Sequence, residues 1–282
     1  MGSQTRSKET EAEIVALYKK GKSQKEIADM YNTYNTSIRR ILLRHKVQLR
    51  NSSRVLRYCK HNPFKRNDEY SDYFLGLLLT DGCISTNSSK PNSNAINLSL
   101  SEKDGYMVEV FRDWASPKSK VSKILQPINN SYMYSVNITN EEMETWLRRK
   151  GNFIRKSYEC KIYIPLNWNI LRGIFDGDGG FHIDRERLSF FICSKSLAFI
   201  HQIESFLNKY GFTVYVRERK NGNKVSLYYV EIYKIHDILK LGELLYQNAH
   251  IFLKRKYERW LAFYESRRAY GVNSGKEMAI QP

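Results

Sequence analysis

Residues 73–82 read YFLGLLLTDG, and residues 170–179 read ILRGIFDGDG. Each stretch is apolar around a central glycine and ends in an Asp-Gly pair, whose acids are Asp81 and Asp178. A helix that is apolar on every side is usually buried, and a central glycine lets another backbone approach closely. The two stretches therefore predict two buried helices that pack on each other and bring their terminal carboxylates to the same end.

Similar elements follow each stretch. Alternating apolar and polar residues predict strands, a longer periodic segment predicts a helix, and a second hairpin comes after it. The predicted helices cover residues 103–115 and 195–210, and the predicted hairpins cover 121–138 and 212–232, with turns near Asn129-Asn130 and at Asn221-Gly222. The order αββαββα thus occurs twice, which indicates an internal duplication of a mixed α/β (α+β) fold.

The 282-residue chain has 46 Lys and Arg residues against 29 Asp and Glu residues, a formal net charge of +17. Its hydrophobic fraction of 41% suffices for a real core and excludes a chain that is disordered throughout. A surplus of this size on a folded surface favours a polyanion partner. A generally basic soluble protein would show the same surplus.

No run of residues approaches the ~18 apolar residues that a membrane helix needs, and the N-terminal residues lack the apolar region of a signal peptide. The cysteines have neither disulfide nor zinc-site spacing and lie at positions Cys59, Cys83, Cys160 and Cys193. These features predict an intracellular protein, cytoplasmic or associated with the nucleoid, that is neither secreted nor inserted in a membrane.

Residues 1–46 predict a small all-α domain of three helices. Apolar residues recur at helical spacing, Gly21 ends the first helix, and Ser23 caps the second. This spacing resembles the helix-turn-helix domains of resolvases and transposases, in which the third helix enters the DNA major groove. The outward polar residues of that helix would be Asn35, Thr36, Arg39 and Arg40. A helical oligomerisation module fits the same pattern.

Residues 47–69 contain six Lys or Arg residues against two acids, include Pro63 and lack periodicity, which predicts a basic linker that either follows DNA or is a solvated tether. The predicted organisation is a helix-turn-helix domain at 1–46, a basic linker at 47–69, a first repeat at 70–167, a second repeat at 168–270 and a C-terminal tail at 271–282.

Carboxylates are unfavourably placed at the end of a helix, because that end carries partial negative charge and the two acids also repel each other. A divalent cation removes both conflicts. Carboxylate oxygens suit Mg²⁺, which keeps several waters and activates one of them as a nucleophile. Asp81 and Asp178 are therefore candidate metal ligands.

Residues 74–82 and 171–179 resemble the nine-residue signature of the double-motif LAGLIDADG homing endonucleases, and the resemblance extends over about residues 70–265. It implies a monomer with pseudo-twofold symmetry, in which two four-stranded antiparallel sheets form a saddle over the DNA major groove. The first motif departs from the signature, because Leu79 stands where many members have an acid, whereas the second motif keeps Asp176.

The resemblance also implies catalytic roles. The last acid of each motif binds the metal, the preceding carbonyl group is a further possible ligand, and a basic residue near the end of each repeat polarises the site. In this sequence those residues are Asp81 and Asp178, Thr80 and Gly177, and Lys156 and Lys256. A lysine that is only a solvated charge on a helix is the alternative for the last pair.

Candidate DNA contacts lie on the sheet faces opposite the core and at basic hairpin tips. The face residues are Asn97, Ser99, Ser101, Thr213, Tyr215 and Arg217. The basic tip residues are Lys118, Lys120, Lys123, Arg219, Lys220 and Lys224.

These features together predict a site-specific, Mg²⁺-dependent endonuclease that cuts double-stranded DNA at a long asymmetric target. A non-cleaving intron maturase or a DNA-binding regulator on the same fold is the alternative. A recombinase or transposase is favoured only by the N-terminal helices, and the repeats supply neither a recognisable nucleophile nor a three-acid site.

Overall fold

The computed structural model describes residues 7–49, 62–85, 94–128, 130–154, 156–184, 187–222 and 224–273. The chain divides into two compact units, Met1–Leu56 and Arg57–Pro282. Residues 50–61 of the predicted linker, with Cys59, and residues 274–282 of the predicted tail lie outside the described residues.

Within its described residues, the first unit contains the helices α1 (Lys8–Lys19), α2 (Gln24–Met30) and α3 (Asn35–Arg44). Ser7 caps α1 by accepting a hydrogen bond from the Thr10 N–H, and Ser23 forms a reciprocal capping box with Glu26 at the start of α2. The three predicted helices are confirmed. They enclose a separate small core of Ile14, Tyr18, Ile27, Ala28, Ile38, Ile41 and Leu42.

The second unit contains the αββαββα order twice, so the predicted duplication is confirmed. The first repeat follows a 3₁₀ turn at Pro63–Arg66 and consists of α4 (Glu69–Thr80), β1 (Gly82–Ser85), β2 (Ala95–Ser101), α5 (Gly105–Ala115), β3 (Val121–Gln126), β4 (Ser131–Ile138), α6 (Glu141–Lys150) and the short α7 (Lys156–Glu159). The second consists of α8 (Trp168–Asp178), β5 (Gly179–Asp184), β6 (Arg187–Ser194), α9 (Leu197–Lys209), β7 (Tyr215–Asn221), β8 (Lys224–Ile232), α10 (Ile235–Tyr246) and α11 (Lys254–Asn273).

Each repeat forms one four-stranded antiparallel sheet, with the strand orders β1-β2-β4-β3 and β5-β6-β8-β7. Side chains alternate between an inner face, which packs on the helices of the same repeat, and an outer face, which points away from them. In β2 the inner residues Ile96, Leu98 and Leu100 are buried, and the residues between them face outward. The mixed α+β fold with two antiparallel sheets is therefore confirmed.

The helices α4 and α8 pack along each other through their central glycines. A methyl group added to Gly76 would lie 2.1 Å from the carbonyl oxygen of Ile170, and one added to Gly173 would lie 2.0 Å from that of Tyr73. Nonbonded heavy atoms normally stay about 3.5 Å apart, so only glycine permits this approach. The predicted close packing of the two motif helices is confirmed.

The first repeat begins earlier than predicted, and the prediction of a linker is wrong for its last residues. Pro63 and Phe64 are buried, and the Phe64 ring lies 4.9 Å from the Trp114 ring and 5.1 Å from the Trp146 ring, measured between centroids. One aromatic residue in an aperiodic basic stretch has no pattern that predicts burial. The predicted tail also begins too early, because α11 continues to Asn273.

Both hairpins turn where the sequence predicts, with a left-handed backbone at Asn130 (φ 48°) and at Gly222 (φ 60°). The predicted basic tip is wrong for the first hairpin. Lys118 and Lys120 precede β3, so they lie at the end of that strand away from the turn, whose residues are uncharged. In the described part of the chain, no helix combines the length and the hydropathy needed to cross a bilayer.

Candidate active site

The C-terminal ends of α4 and α8 meet, and both motif carboxylates lie there. Asp81 follows the last residue of α4, and Asp178 is the last residue of α8. A methyl group added to Gly177 would lie 1.8 Å from the Thr80 hydroxyl oxygen and 2.9 Å from Asp81 Oδ2. The end of α8 therefore contacts the two residues that end α4, and Asp81 lies against the second motif.

Both carboxylates are half-buried. Within the described ranges, neither Asp81 nor Asp178 makes a side-chain hydrogen bond or an ion pair. Burial, together with repulsion from Asp178, raises the pKa of Asp81 to about 6. Burial also raises the pKa of Asp178. Burial thus disfavours the charged form of each acid, and a bound cation would offset that free-energy cost.

A lysine from the end of the first repeat caps α4. Lys156 donates hydrogen bonds from Nζ to the carbonyl oxygens of Leu78 (2.8 Å) and Thr80 (2.5 Å). The last carbonyl groups of a helix lack partners within the helix and carry partial negative charge, so they favour an ammonium group. Lys156 is therefore bound to the helix end that carries Asp81.

A second lysine caps α8 in the same way. Lys256, which is 5% exposed, donates to the carbonyl oxygens of Phe175, Asp176 and Gly179 at 2.6 Å each. Burial lowers the pKa of Lys156 and of Lys256 to about 8. Neither lysine is the solvated surface charge that the sequence left open as the alternative.

The two carbonyl groups that the resemblance implies as metal ligands already accept hydrogen bonds. The Thr80 oxygen accepts from Lys156 at 2.5 Å, and the Gly177 oxygen accepts from Lys256 at 3.5 Å. A carbonyl oxygen has two lone pairs, so each keeps one. The strongest ligands at the helix ends are therefore the two carboxylates.

This donor set fits a hard divalent cation. Among the described residues, no three His, Cys, Asp or Glu side chains are arranged to hold a metal ion. A zinc site would need three or four such ligands, whereas Mg²⁺ is bound by one or two carboxylates and keeps several waters. The pair Asp81 and Asp178 matches the ligands of a Mg²⁺ site.

Asp176 has a role that the sequence does not reveal. It is 1% exposed, and its Oδ2 accepts hydrogen bonds from the Tyr73 hydroxyl (2.8 Å) and from the Leu253 N–H (2.6 Å). Burial raises the pKa of Asp176 to about 6. This acid joins α8 to α4 and to the start of α11. Tyr73 carries no sequence signal for the contact, because its partner lies 103 positions away.

Arg172 makes a second buried polar connection. Its guanidinium group donates to the carbonyl oxygens of Leu245 (2.8 Å) and Ile251 (2.9 Å) and to Glu69 Oε1 (2.5 Å). The same Glu69 oxygen accepts the His250 N–H at 2.9 Å. The segment before α11 is thus fixed to the start of α4 through Glu69 and to the middle of α8 through Arg172. The sequence signal for this connection is the position of Arg172, a charged residue inside an apolar motif.

Two thiols also lie at the helix ends. Cys193 Sγ donates to the main-chain oxygen of Asp178 (3.3 Å), and Cys160 Sγ donates to that of Leu79 (3.7 Å). Burial raises the pKa of both thiols to about 11. They are therefore protonated at neutral pH and are not nucleophiles.

Three of the predicted DNA contacts of the first repeat share the outer face of its sheet. They are Asn97, Ser99 and Ser101, which alternate with the buried residues of β2. Lys123 does not join them. It pairs with Tyr134 in the sheet and donates to Glu102 Oε1 at 2.8 Å, so it lies on the inner face. The register of β3 decides the side, and the sequence does not specify it.

In the second sheet, Tyr215, Arg217 and Arg219 lie on the outer face of β7. Lys220 follows a bulge and forms an ion pair with Glu218 at 2.9 Å. Lys224 is the first residue of β8, next to the turn.

Thr213 is not a strand residue. It precedes β7, and its N–H donates to Asp237 Oδ2 at 3.0 Å, which corrects its predicted position on the sheet face.

In the first unit, the four predicted contact residues are all exposed on α3: Asn35, Thr36, Arg39 and Arg40. The buried residues of the same helix are Ile38, Ile41 and Leu42.

A family model described as a LAGLIDADG-like domain matches residues 167–245. This range of the chain is therefore similar to that domain. The matched range begins at Asn167, which caps α8, includes Asp178 and both hairpins of the second repeat, and ends within α10. Lys256 follows the matched range.

The solved structures that are similar to the chain include three complexes with DNA. The crystal structure of I-DmoI in complex with DNA and Mn is 16% identical, covers 65% of this chain and 98% of its own, and has a TM-score of 0.45. The homing endonuclease I-WcaI bound to its DNA recognition sequence is 13% identical, with coverages of 76% and 96% and a TM-score of 0.49. The LAGLIDADG meganuclease I-AabMI bound to uncleaved DNA is 12% identical, with coverages of 74% and 92% and a TM-score of 0.48. No curated protein sequence matches the chain.

Proposed function

We propose that this protein is a site-specific endonuclease that hydrolyses both strands of a long, asymmetric DNA target with a divalent metal ion. One observation carries the proposal. Asp81 and Asp178 are half-buried carboxylates at the meeting ends of two helices, each of which is capped by a lysine. The LAGLIDADG-like domain around Asp178 and the net charge of +17, which attracts a polyanion, support it.

In this proposal Asp81 and Asp178 hold the metal, which we take to be Mg²⁺. A bound divalent cation would activate a water and neutralise charge on the scissile phosphate. Lys156 and Lys256 keep positive charge beside the carboxylates and fix the helix ends through their carbonyl hydrogen bonds. With a pKa of about 8, both lysines are mainly protonated at pH 7.

The duplex would lie along the outer faces of the two sheets. Cys193 occupies an outer position of β6 and donates to the main-chain oxygen of Asp178, so the outer face adjoins the carboxylate pair. A duplex on these faces would therefore have its backbone near Asp81 and Asp178. The two repeats form one monomer, and because their residues differ, the target has two different halves. We place the protein with its substrate, in the cytoplasm or at the nucleoid.

We also propose that the first unit binds DNA through the exposed side chains of α3. Two DNA-binding units on one chain raise each other's effective concentration. Replacing Arg39 and Arg40 together by Ala in the full chain should weaken target binding about tenfold and shorten the footprint on one side only. Unchanged affinity with an unchanged footprint would instead favour the oligomerisation module.

The test of cleavage begins with selection of bound duplexes from a random library by the full chain with no divalent metal added, so that metal-dependent cleavage does not occur. The selected sequence is then placed in a supercoiled plasmid and incubated with the protein in Mg²⁺ or in EDTA. We expect linear product in Mg²⁺ and none in EDTA. A selected duplex that stays uncut in both Mg²⁺ and Mn²⁺ would contradict the proposed endonuclease activity and would favour a non-cleaving DNA-binding regulator.

A further inference from the structure

The outer faces of the two sheets differ in chemistry, although the strand order is the same. At the outward positions of β1 to β4, the described residues include no Lys, Arg, Asp or Glu. These positions carry amide, hydroxyl and aliphatic side chains. The outward positions of the second sheet include arginines and aromatic rings.

The polar groups of the first outer face hold one another in place. Asn97 and Asn137 lie opposite each other in the sheet, and Asn97 Nδ2 donates to Asn137 Oδ1 (3.2 Å) and to Ser135 Oγ (2.9 Å). Ser99 Oγ donates to Asn97 Oδ1 (3.0 Å). Asn97 thus uses its own amide hydrogens within the sheet and fixes the Asn137 amide. Among the described residues, Asn137 Nδ2 makes no hydrogen bond, so this oriented group can meet a base edge at a low entropy cost.

Apolar side chains continue this face toward the hairpin turn. Ile124 lies opposite Met133, and the Ile124 side chain is 47% exposed. An exposed aliphatic side chain on a protein surface gains free energy when it contacts another apolar group. On a duplex, the apolar group that projects into the major groove is the thymine methyl.

The second outer face presents charge. Arg217 and Arg219 both point outward from β7. Arg217 is held by Glu231 (Nε to Oε2, 3.2 Å) and by the Tyr233 ring, whose centroid lies 5.4 Å from its Cζ atom. A guanidinium group that is oriented by a carboxylate and a ring still has donors for a further acceptor.

Each base edge favours a different side chain. Asn forms a paired hydrogen bond with adenine N6 and N7, aliphatic groups contact the thymine methyl, and Arg forms a paired hydrogen bond with guanine O6 and N7. We infer that the first sheet reads a half-site rich in A·T pairs and that the second sheet reads a half-site with specified G·C pairs. This inference rests on the proposed function, since it assigns the two halves of the target to the two sheets.

The test uses the full chain and a random duplex library, with no divalent metal added, so that binding alone is selected. We expect one half of the selected sequence to be dominated by A·T pairs and the other to contain fixed guanines.

Variants assign each half to its sheet. Ile124→Ala should reduce the thymine preference about fourfold at one or two positions of the A·T half. Leu125→Ala is its matched control, because Leu125 is 46% exposed and lies on the inner face of the same strand. Arg219→Gln should reduce a guanine preference about tenfold in the other half. Lys220→Gln removes the same charge beside it and should weaken binding without changing base preference.

Two results would overturn the inference. Halves of equal base composition would reject it, and so would Ile124→Ala and Leu125→Ala variants with the same selected sequence. Failure to select any duplex would also reject the proposed function. A duplex that is bound, and cut in Mg²⁺, but evenly composed would reject this inference alone.

Discussion

The two central helices hold equivalent aspartates through different contacts. The first helix, α4, has Leu75 and Leu79 at the positions where α8 has Arg172 and Asp176. Both leucines are buried in the apolar core, whereas Arg172 and Asp176 are bonded to α4 and to the segment before α11. The comparison teaches that the last acid is the one ionisable residue that the two motifs share. The two earlier positions accept either buried leucines, as in α4, or buried charged side chains with hydrogen-bond partners, as in α8.

The lysine of the second repeat is also the more firmly supported of the two. Lys156 lies in α7, a helix of 4 residues, whereas Lys256 lies in α11, a helix of 20 residues whose start is fastened by the bond from the Leu253 N–H to Asp176. We therefore expect the second half of the site to be the more rigid one.

The largest effect should be the same in both halves, because both helices need their glycine. Gly76→Leu or Gly173→Leu should lower the free energy of unfolding by more than about 3 kcal/mol, since the new side chain overlaps the partner backbone. Urea unfolding measures this loss. Glu109→Leu, which adds the same side chain on the exposed face of α5, is the control. A glycine variant as stable as the control would contradict the packing.

Exchanging the residues that differ should show the asymmetry. Leu79→Asp buries a carboxylate among apolar groups and should cost about 3 kcal/mol. Asp176→Leu leaves the Tyr73 hydroxyl and the Leu253 N–H without an acceptor but removes a carboxylate that burial disfavours, so it should cost about 1–2 kcal/mol. Equal losses in urea unfolding would mean that the two helices are supported alike.

Replacing each lysine in turn should show how much each cap contributes to stability. Lys256→Met deprives four carbonyl groups of a donor, that of Gly177 included, and should cost about 2 kcal/mol, whereas Lys156→Met deprives two and should cost about 1 kcal/mol. Chemical unfolding at pH 7 compares the two variants with the wild type. A greater loss for Lys156→Met would reverse the proposed order of rigidity.

A smaller effect is the pH dependence of the free energy of unfolding. The pKa of Asp81 is about 6 in the folded protein and 3.8 without the fold, so the folded state binds the proton more tightly. The resulting stabilisation is complete below pH ~4 and is lost as the pH rises through 6. Asp81→Asn should remove this decline in the free energy of unfolding. Between pH 4 and pH 7 its stability should therefore rise by about 1–2 kcal/mol relative to that of the wild type. Millimolar Mg²⁺ should flatten the wild-type curve. Parallel curves for the two proteins would show that Asp81 is not perturbed.

Local patterns predict much of this molecule. The apolar motifs predict two buried helices, their glycines predict close packing, and the Asn221-Gly222 pair predicts a turn. Each of these signals lies within a few residues of the element that it specifies, so no knowledge of distant contacts is needed.

Long-range contacts account for what the sequence does not predict. Asp176 depends on Tyr73, and Phe64 depends on two tryptophans that lie far along the chain. Lys123 falls on the inner face because of the register of an edge strand, which a solvent-exposed pattern does not fix. Pairing across the fold decides each of these positions.

The central claim is that Asp81 and Asp178 form one metal-binding site in which both acids are needed. The most direct test places the selected target in a supercoiled plasmid and compares the wild type with Asp81→Asn and Asp178→Asn in Mg²⁺, with Asp113→Asn, an exposed acid on α5, as the control. We predict that each motif variant binds the target within about threefold of the wild type and forms no linear product, because phosphate and base contacts elsewhere supply the affinity. Linear product at the wild-type rate from both motif variants would contradict the claim.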